Sequence, residues 1–179
     1  MTRSGFMKAL LLLAVAAWFS GCDSKQGVRG GDAAPEFSAR DTAGQTVSLG
    51  RFRGKLVVLY FWTNSCCGER VKLVEPLYRR YRDRGVTFIG VDVGDSRETT
   101  AACVRTNGLT FPMVTDGDQA IFRQYRLAGF PTIMLVDPNG IVRQVVLGEI
   151  GADQLEKLVL RQLEMRKKAE DAYEKSRAR

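Results

Sequence analysis

The stretch Lys55–Arg70, KLVVLYFWTNSCCGER, carries an apolar, β-branched run straight into two adjacent cysteines. From Leu56 to Trp62 no polar residue interrupts the run except the hydroxyl of Tyr60. That pattern fits a strand buried on both faces. Beyond the cysteines, Val71, Val74, Leu77, Tyr78 and Tyr81 recur at spacings of three and four, which predicts a helix. Pro76 lies inside that pattern and is expected to kink it, because it lacks the N–H and clashes one turn back. Cys66 therefore sits where a buried strand gives way to a helix. Thiolate is the reactive form of cysteine, and the partial positive charge of a helix N-terminus lowers a thiol's pKa. Ser65 could cap this helix, and Arg70 would help the thiolate if it folded back.

Outward from this junction the chain alternates. Residues 36–49, EFSARDTAGQTVSL, read as two short strands around the turn Ala43-Gly44, with Phe37, Val47 and Leu49 facing inward. VTFIGVDV, Val86–Val93, reads as the next buried strand. Ser96 is placed to cap a helix running to about Thr106, and Gly108 to end it. FPMVTD is a short strand and Gln119–Tyr125 a short helix. PTIMLVD and IVRQVVL are two strands joined at Asp137-Pro138-Asn139-Gly140, a strong turn signal. From Ala152, Leu155, Leu158, Val159 and Leu163 share one helical face, and the chain turns highly charged from Arg166. No internal repeat is evident.

The N-terminus reads as an export signal. Arg3 and Lys8 precede ALLLLAVAAWF, Ala9–Phe19, an apolar run of 11 residues. A bilayer-spanning helix needs roughly twenty, so this is a cleavable segment. Ser20-Gly21-Cys22 ends it, and residues 23–34 are Gly-rich and polar, as in a flexible tether. The expected organisation is a signal peptide over 1–21, a tether over 22–34, a domain over 35–165 and a charged tail over 166–179. Outside the cytosol, disulfides can persist.

Composition narrows the chemistry. Histidine is absent, which excludes His-dependent hydrolysis and zinc chemistry and leaves no metal site to expect. The formal charge is +7, but its Lys and Arg residues are scattered rather than clustered with aromatics, so no nucleic-acid face is expected. No cofactor is indicated.

The order of elements, with RGKLVVLYFW leading into Cys66, GLTFPMVTD, and LAGFPTIMLVDPNGIV, resembles the thioredoxin superfamily. The likeness covers about Pro35 to Leu163 and is greatest to the TlpA/ResA-like branch of exported, membrane-anchored thiol-disulfide oxidoreductases. It implies an α/β, thioredoxin-like fold: a central mixed β-sheet flanked by helices, with an N-terminal β-hairpin extension. It also implies that Cys66 is the nucleophile and Pro131 a cis-proline facing it. Backbone at Phe130 would then pair with a substrate's extended chain. The small residues before Cys22 resemble the bacterial lipobox, which implies lipidation there and tethering to a membrane facing the periplasm or outer surface. Partners implied are protein or small-molecule thiols and disulfides.

One departure is decisive for mechanism. The family places a second cysteine three residues after the first, and Glu69 stands there. Its charge would raise the Cys66 pKa. Cys67 is the obvious substitute: neighbouring Cα atoms lie about 3.8 Å apart, whereas disulfides prefer roughly 4.4–6.8 Å, so a Cys66–Cys67 ring can form but is strained and easily reduced. Cys103, on the helix after the Val86 strand, is the other candidate resolving thiol, or else a packed core residue. TNSCCGE also resembles the peroxiredoxin pattern T-x-x-C-x-x-E, with Thr63 and Glu69 about Cys66, so a thiol peroxidase is an alternative. A redox-sensing or binding module without turnover is a third, favoured by the missing second cysteine.

Overall fold

The computed structural model describes residues 27–67 and 70–178, with the backbone alone for Cys66 and Cys67. The expected signal peptide, Cys22 and Glu69 lie outside the described residues. Strand β1 (Ser38–Arg40) pairs antiparallel with β2 (Thr46–Ser48). Then come β3 (Leu56–Trp62), helix α1 (Asn64–Cys67), a 3₁₀ turn over Val71–Val74 and α2 (Glu75–Tyr81). These are followed by β4 (Val86–Val93), α3 (Arg97–Asn107), β5 (Met113–Asp116) and α4 (Ala120–Tyr125). The chain ends with β6 (Thr132–Val136), β7 (Val142–Leu147) and the long α5 (Ala152–Arg177).

Strands β5-β4-β3-β6-β7 form one mixed sheet in that order. β3, β4 and β5 run parallel, while β6 and β7 are antiparallel to their neighbours. Every residue of β3 and β4 is buried, as their unbroken apolar runs require. Alternation along β3 divides the core in two. Leu56, Val58, Tyr60 and Trp62 pack on one face with α2 residues, Cys103, Leu155 and Val159. Val57, Leu59 and Phe61 pack on the other with Phe37, Val47 and Tyr125. Burying each such side chain contributes about 1.5–3 kcal/mol, so β3 anchors both layers.

Two expectations change. Pro76 does not kink a helix: a 3₁₀ turn precedes it, and it occupies the first turn of α2. There a missing N–H costs nothing, because first-turn N–H groups lack helical partners anyway. Residues 27–34, expected as tether, are tied to the domain. The Val28 N–H donates to the Tyr125 carbonyl at 3.2 Å and the Gly31 N–H to the Val142 carbonyl at 2.8 Å. Ala33 bridges Ile141, and Ala34 is buried.

The remaining elements match their signals. The Ser96 hydroxyl accepts the Thr99 N–H at 3.2 Å, and Gly108 closes α3 in the left-handed region. Gly90 faces Met113 across the β4–β5 pair, where an added Cβ would collide with the Met113 thioether and meet the Phe111 ring. A larger residue there would require the Met113 thioether to move. No helix among the described residues is long and apolar enough to cross a membrane.

Candidate active site

The carboxyl end of β3 sets the site. Trp62 is fully buried, and its indole N–H points to the Met113 sulfur at 3.3 Å, which fixes the last turn of the strand. Thr63 and Asn64 then leave the sheet into α1. Their anchor is Asp95, in the loop after β4. One Asp95 oxygen, Oδ2, accepts the Asn64 N–H at 2.8 Å and the Thr63 hydroxyl at 3.1 Å. Asp95 thus performs the capping expected of Ser65, whose hydroxyl lies 3.4 Å from that of Thr63. Arg70 does not fold back: its guanidinium pairs with Glu149 at 3.2 Å, both exposed.

A second carboxyl lies beneath. Asp92 faces Trp62 in the β3–β4 register and is wholly inaccessible to solvent. The Thr100 hydroxyl of α3 donates to Asp92 Oδ2 at 2.7 Å. Asp92 Oδ1 is buried with no hydrogen-bond partner, the sole such side-chain oxygen or nitrogen found among the described residues. Burial first, then the neighbouring Asp95, pushes the Asp92 carboxyl up from 3.8 to about 7, against the opposing pull of Thr100. Neither aspartate stood out in the sequence. VDVGD reads as a strand running into a turn, and only the strand register sets Asp92 beside Trp62, while the fold of the following loop brings Asp95 to Thr63 and Asn64.

Cys103 lies one helical turn beyond Thr100 on α3. It is 8% exposed and packs in the core cluster that includes Trp62. The Asn107 amide donates to its sulfur at 3.3 Å. Burial pushes the Cys103 thiol up, Asn107 opposes this, and Asp92 and Asp95 add to the rise. α3 is in contact with α1, the helix of Cys66 and Cys67.

The third wall comes from β6. The Phe130–Pro131 peptide bond is cis. Phe61 pairs with Thr132 in the antiparallel β3–β6 ladder, so Pro131 lies at the strand end beside Trp62. Phe130 packs on Phe122 at 4.8 Å between ring centroids, and the Thr132 hydroxyl donates to the Gly129 carbonyl at 2.7 Å. Leu147, opposite Thr132 on β7, is 59% exposed and adds an apolar surface near this turn. The structure therefore brings α1 and Pro131 to one end of the sheet, with Cys103 on α3, the helix that touches α1. Among the described residues, no group of three acidic or cysteine side chains is arranged to hold a metal. A cleft of about 470 Å³ between Gly54, Pro138 and α5 lies at the opposite end of β3, away from these residues.

Comparison with known proteins places this arrangement. The profile of the AhpC/TSA family matches residues 30–145. The thiol-disulfide oxidoreductase ResA of Geobacillus kaustophilus is 33% identical over 135 residues, covering 74% of this chain and 78% of that protein. The thiol-disulfide oxidoreductase ResA of Bacillus subtilis is 32% identical over 126 residues, 69% of this chain and 70% of that one. Among solved structures, a putative thiol:disulfide interchange protein DsbE from Chlorobium tepidum superposes with a TM-score of 0.70 at 26% identity. It covers 76% of this chain and 99% of the other.

Proposed function

The chain belongs to the AhpC/TSA family as a thioredoxin-like thiol-disulfide oxidoreductase of ResA-like type, and from that premise we propose that Cys66 is its nucleophile and Cys103 its resolving thiol. The Cys66 thiolate attacks one sulfur of a substrate disulfide, forming a mixed disulfide and releasing the other sulfur as a thiolate. Cys103, after losing its proton, attacks the Cys66 sulfur. The substrate leaves as a second thiolate, and the enzyme holds the Cys66–Cys103 disulfide. Substrate gains two electrons and the two cysteines lose them.

The observation that carries this reading is the contact of α1 with α3, which brings the helix of Cys66 against the helix of the buried Cys103. Glu69 cannot resolve a disulfide, and adjacent cysteines close only a strained ring, so Cys103 supplies the sulfur that the motif lacks. Burial of Cys103 means that resolution follows a local opening of α1 or α3. Phe130 and cis-Pro131 are the substrate-pairing edge, with Leu147 as an apolar neighbour. The peroxidase reading has less support, because the Thr63 hydroxyl that would orient a peroxide donates to Asp95.

The enzyme works outside the cytosol, held to a membrane by a lipid on Cys22. Support for this is the 9–19 apolar run and the Ser20-Gly21-Cys22 sequence. Labelled fatty acid should enter the full chain and not Cys22→Ser; equal labelling would overturn the anchor. The nucleophile is tested by reacting reduced Cys103→Ser with oxidised glutathione and quenching with acid. A glutathione adduct should accumulate on Cys66, whereas the wild type should pass on to an internal disulfide. An adduct on Cys67, or faster turnover with hydrogen peroxide than with disulfides, would overturn the assignment.

A further inference from the structure

We propose that α5 is a self-association element: the half that leaves the domain pairs antiparallel with the same half of a second copy of this chain, and Tyr173 of each copy fills the cleft of the other.

The sequence of α5 changes character partway. Leu155 and Val159 are buried against the sheet. From Lys167 to Ala178 every residue is exposed, yet the helix runs on to Arg177. This projecting part rises about 16 Å at ~1.5 Å per residue. A helical segment that short is marginal in water on its own. Its internal support is thin. Arg166 pairs with Glu170 at 2.7 Å, and the Arg177 guanidinium lies 5.8 Å from the centre of the Tyr173 ring.

Along this segment runs an apolar and small-residue stripe. Met165, Ala169, Tyr173 and Ser176 are spaced by four, four and three residues, so they share one face. Met165 is 53% exposed, and Tyr173, at 63%, is the most exposed large hydrophobic among the described residues. At the root of the stripe opens the cleft of about 470 Å³. Leu163, Met165 and Ala169 line it from the helix, and Leu56 and Pro138 from the sheet. Tyr173 of the same chain does not line that cleft and stays in solvent.

A second copy satisfies both surfaces at once. When Ala169 lies against its own counterpart, antiparallel pairing brings Met165 opposite Tyr173 of the second copy, and the reverse by symmetry. Small residues at the crossing let the two helices approach closely. The charges agree with this register. It sets Lys168 beside Asp171, Arg166 beside Glu170 and Glu164 beside Lys175 of the second copy, each pair opposite in sign. A parallel pairing sets Met165 against Met165 and leaves both clefts empty. An anionic lipid surface is a poorer match, because Glu164, Glu170, Asp171 and Glu174 interrupt the basic residues. The cleft lies at the opposite end of β3 from Pro131, so pairing leaves both thiol sites open to substrate.

The test is photo-cross-linking of the full chain in mild detergent, with Tyr173→p-benzoylphenylalanine. Nitrogen-15-labelled and unlabelled chains are mixed before irradiation. A dimer-sized product should form, with mixed-isotope peptide pairs joining position 173 to Leu163, Met165 or Pro138 of the other copy. No dimer product overturns the proposal, as do cross-links to lipid or to another surface. Sedimentation equilibrium of the chain without the photoprobe gives a second reading. Ala169→Glu should raise the dimer dissociation constant roughly tenfold or more, because two like charges meet at the crossing. Lys168→Glu should weaken the dimer about threefold to tenfold, and Lys168→Glu combined with Asp171→Lys should restore it. These residues are exposed, so the substitutions leave the core intact. An unchanged constant in Ala169→Glu, or no recovery in the double reversal, overturns the antiparallel pairing.

Discussion

Replacing Asp92 by asparagine should stabilise the protein above neutrality and leave it nearly unchanged in acid. The Asp92 carboxyl titrates at 3.8 in an ordinary setting and at about 7 in the fold. Between those values the folded state binds a proton that the unfolded chain has released, so stability falls as pH rises. The contribution is fully present below about pH 3.8, is lost progressively up to about pH 7, and changes no further above it. Each pH unit between the two values corresponds to about 1.36 kcal/mol, so the loss is ~4 kcal/mol at most. Asparagine keeps the shape and accepts from Thr100, so it mimics the protonated side chain without titrating. The difference between Asp92→Asn and wild type should therefore grow from near zero at about pH 4 to between about 2 and 4 kcal/mol in favour of asparagine at about pH 8. Urea unfolding of both proteins across this range reads the difference directly, since linear extrapolation carries about 10–15% uncertainty. A difference that stays constant from acid to neutral pH would refute the buried proton and the reasoning built on it.

Three further outcomes follow from packing and hydrogen bonding. Gly90→Ala should cost about 1–3 kcal/mol, because the new Cβ displaces Met113 from beneath Trp62; a cost under about 0.5 kcal/mol in urea unfolding would contradict the close packing. Asp116→Ala should cost about 1–2 kcal/mol, because its two oxygens accept the Ile121 and Phe122 N–H groups that open α4; unchanged stability would remove that cap. Glu75→Ala should cost about 1–3 kcal/mol by leaving the Thr110 N–H unpaired where the carboxylate now accepts it at 2.8 Å. Rapid hydrogen exchange at Thr110 in that variant is the accompanying sign.

What the sequence made legible is what repeats or punctuates. β3 and β4 are unbroken apolar runs, so their burial on both faces was readable, and Ser96 and Gly108 mark the ends of α3 because caps act locally. Pro131 was readable through its motif. Pro76 departs from its expected kink because periodicity does not say whether a proline lies in a first turn or an interior, and here a 3₁₀ turn intervenes. The docking of residues 27–34 rests on backbone hydrogen bonds to Tyr125 and Val142, which leave no mark on side-chain pattern. Asp92 and Asp95 were hidden for a different reason. Their meaning lies in the pairing of β4 with β3 and in an oxygen without a partner, both products of register rather than of local sequence. Cys66 and Cys103 were visible as thiols, but contact between their helices is a tertiary fact.

The central claim is that the missing second cysteine of the motif is replaced by Cys103. Mass spectrometry of the full chain after oxidation by a disulfide substrate, with remaining thiols alkylated, tests it most directly. The account predicts a peptide pair joined through Cys66 and Cys103, with Cys67 alkylated. A Cys66–Cys67 ring, or Cys103 recovered fully alkylated after unfolding, would contradict it.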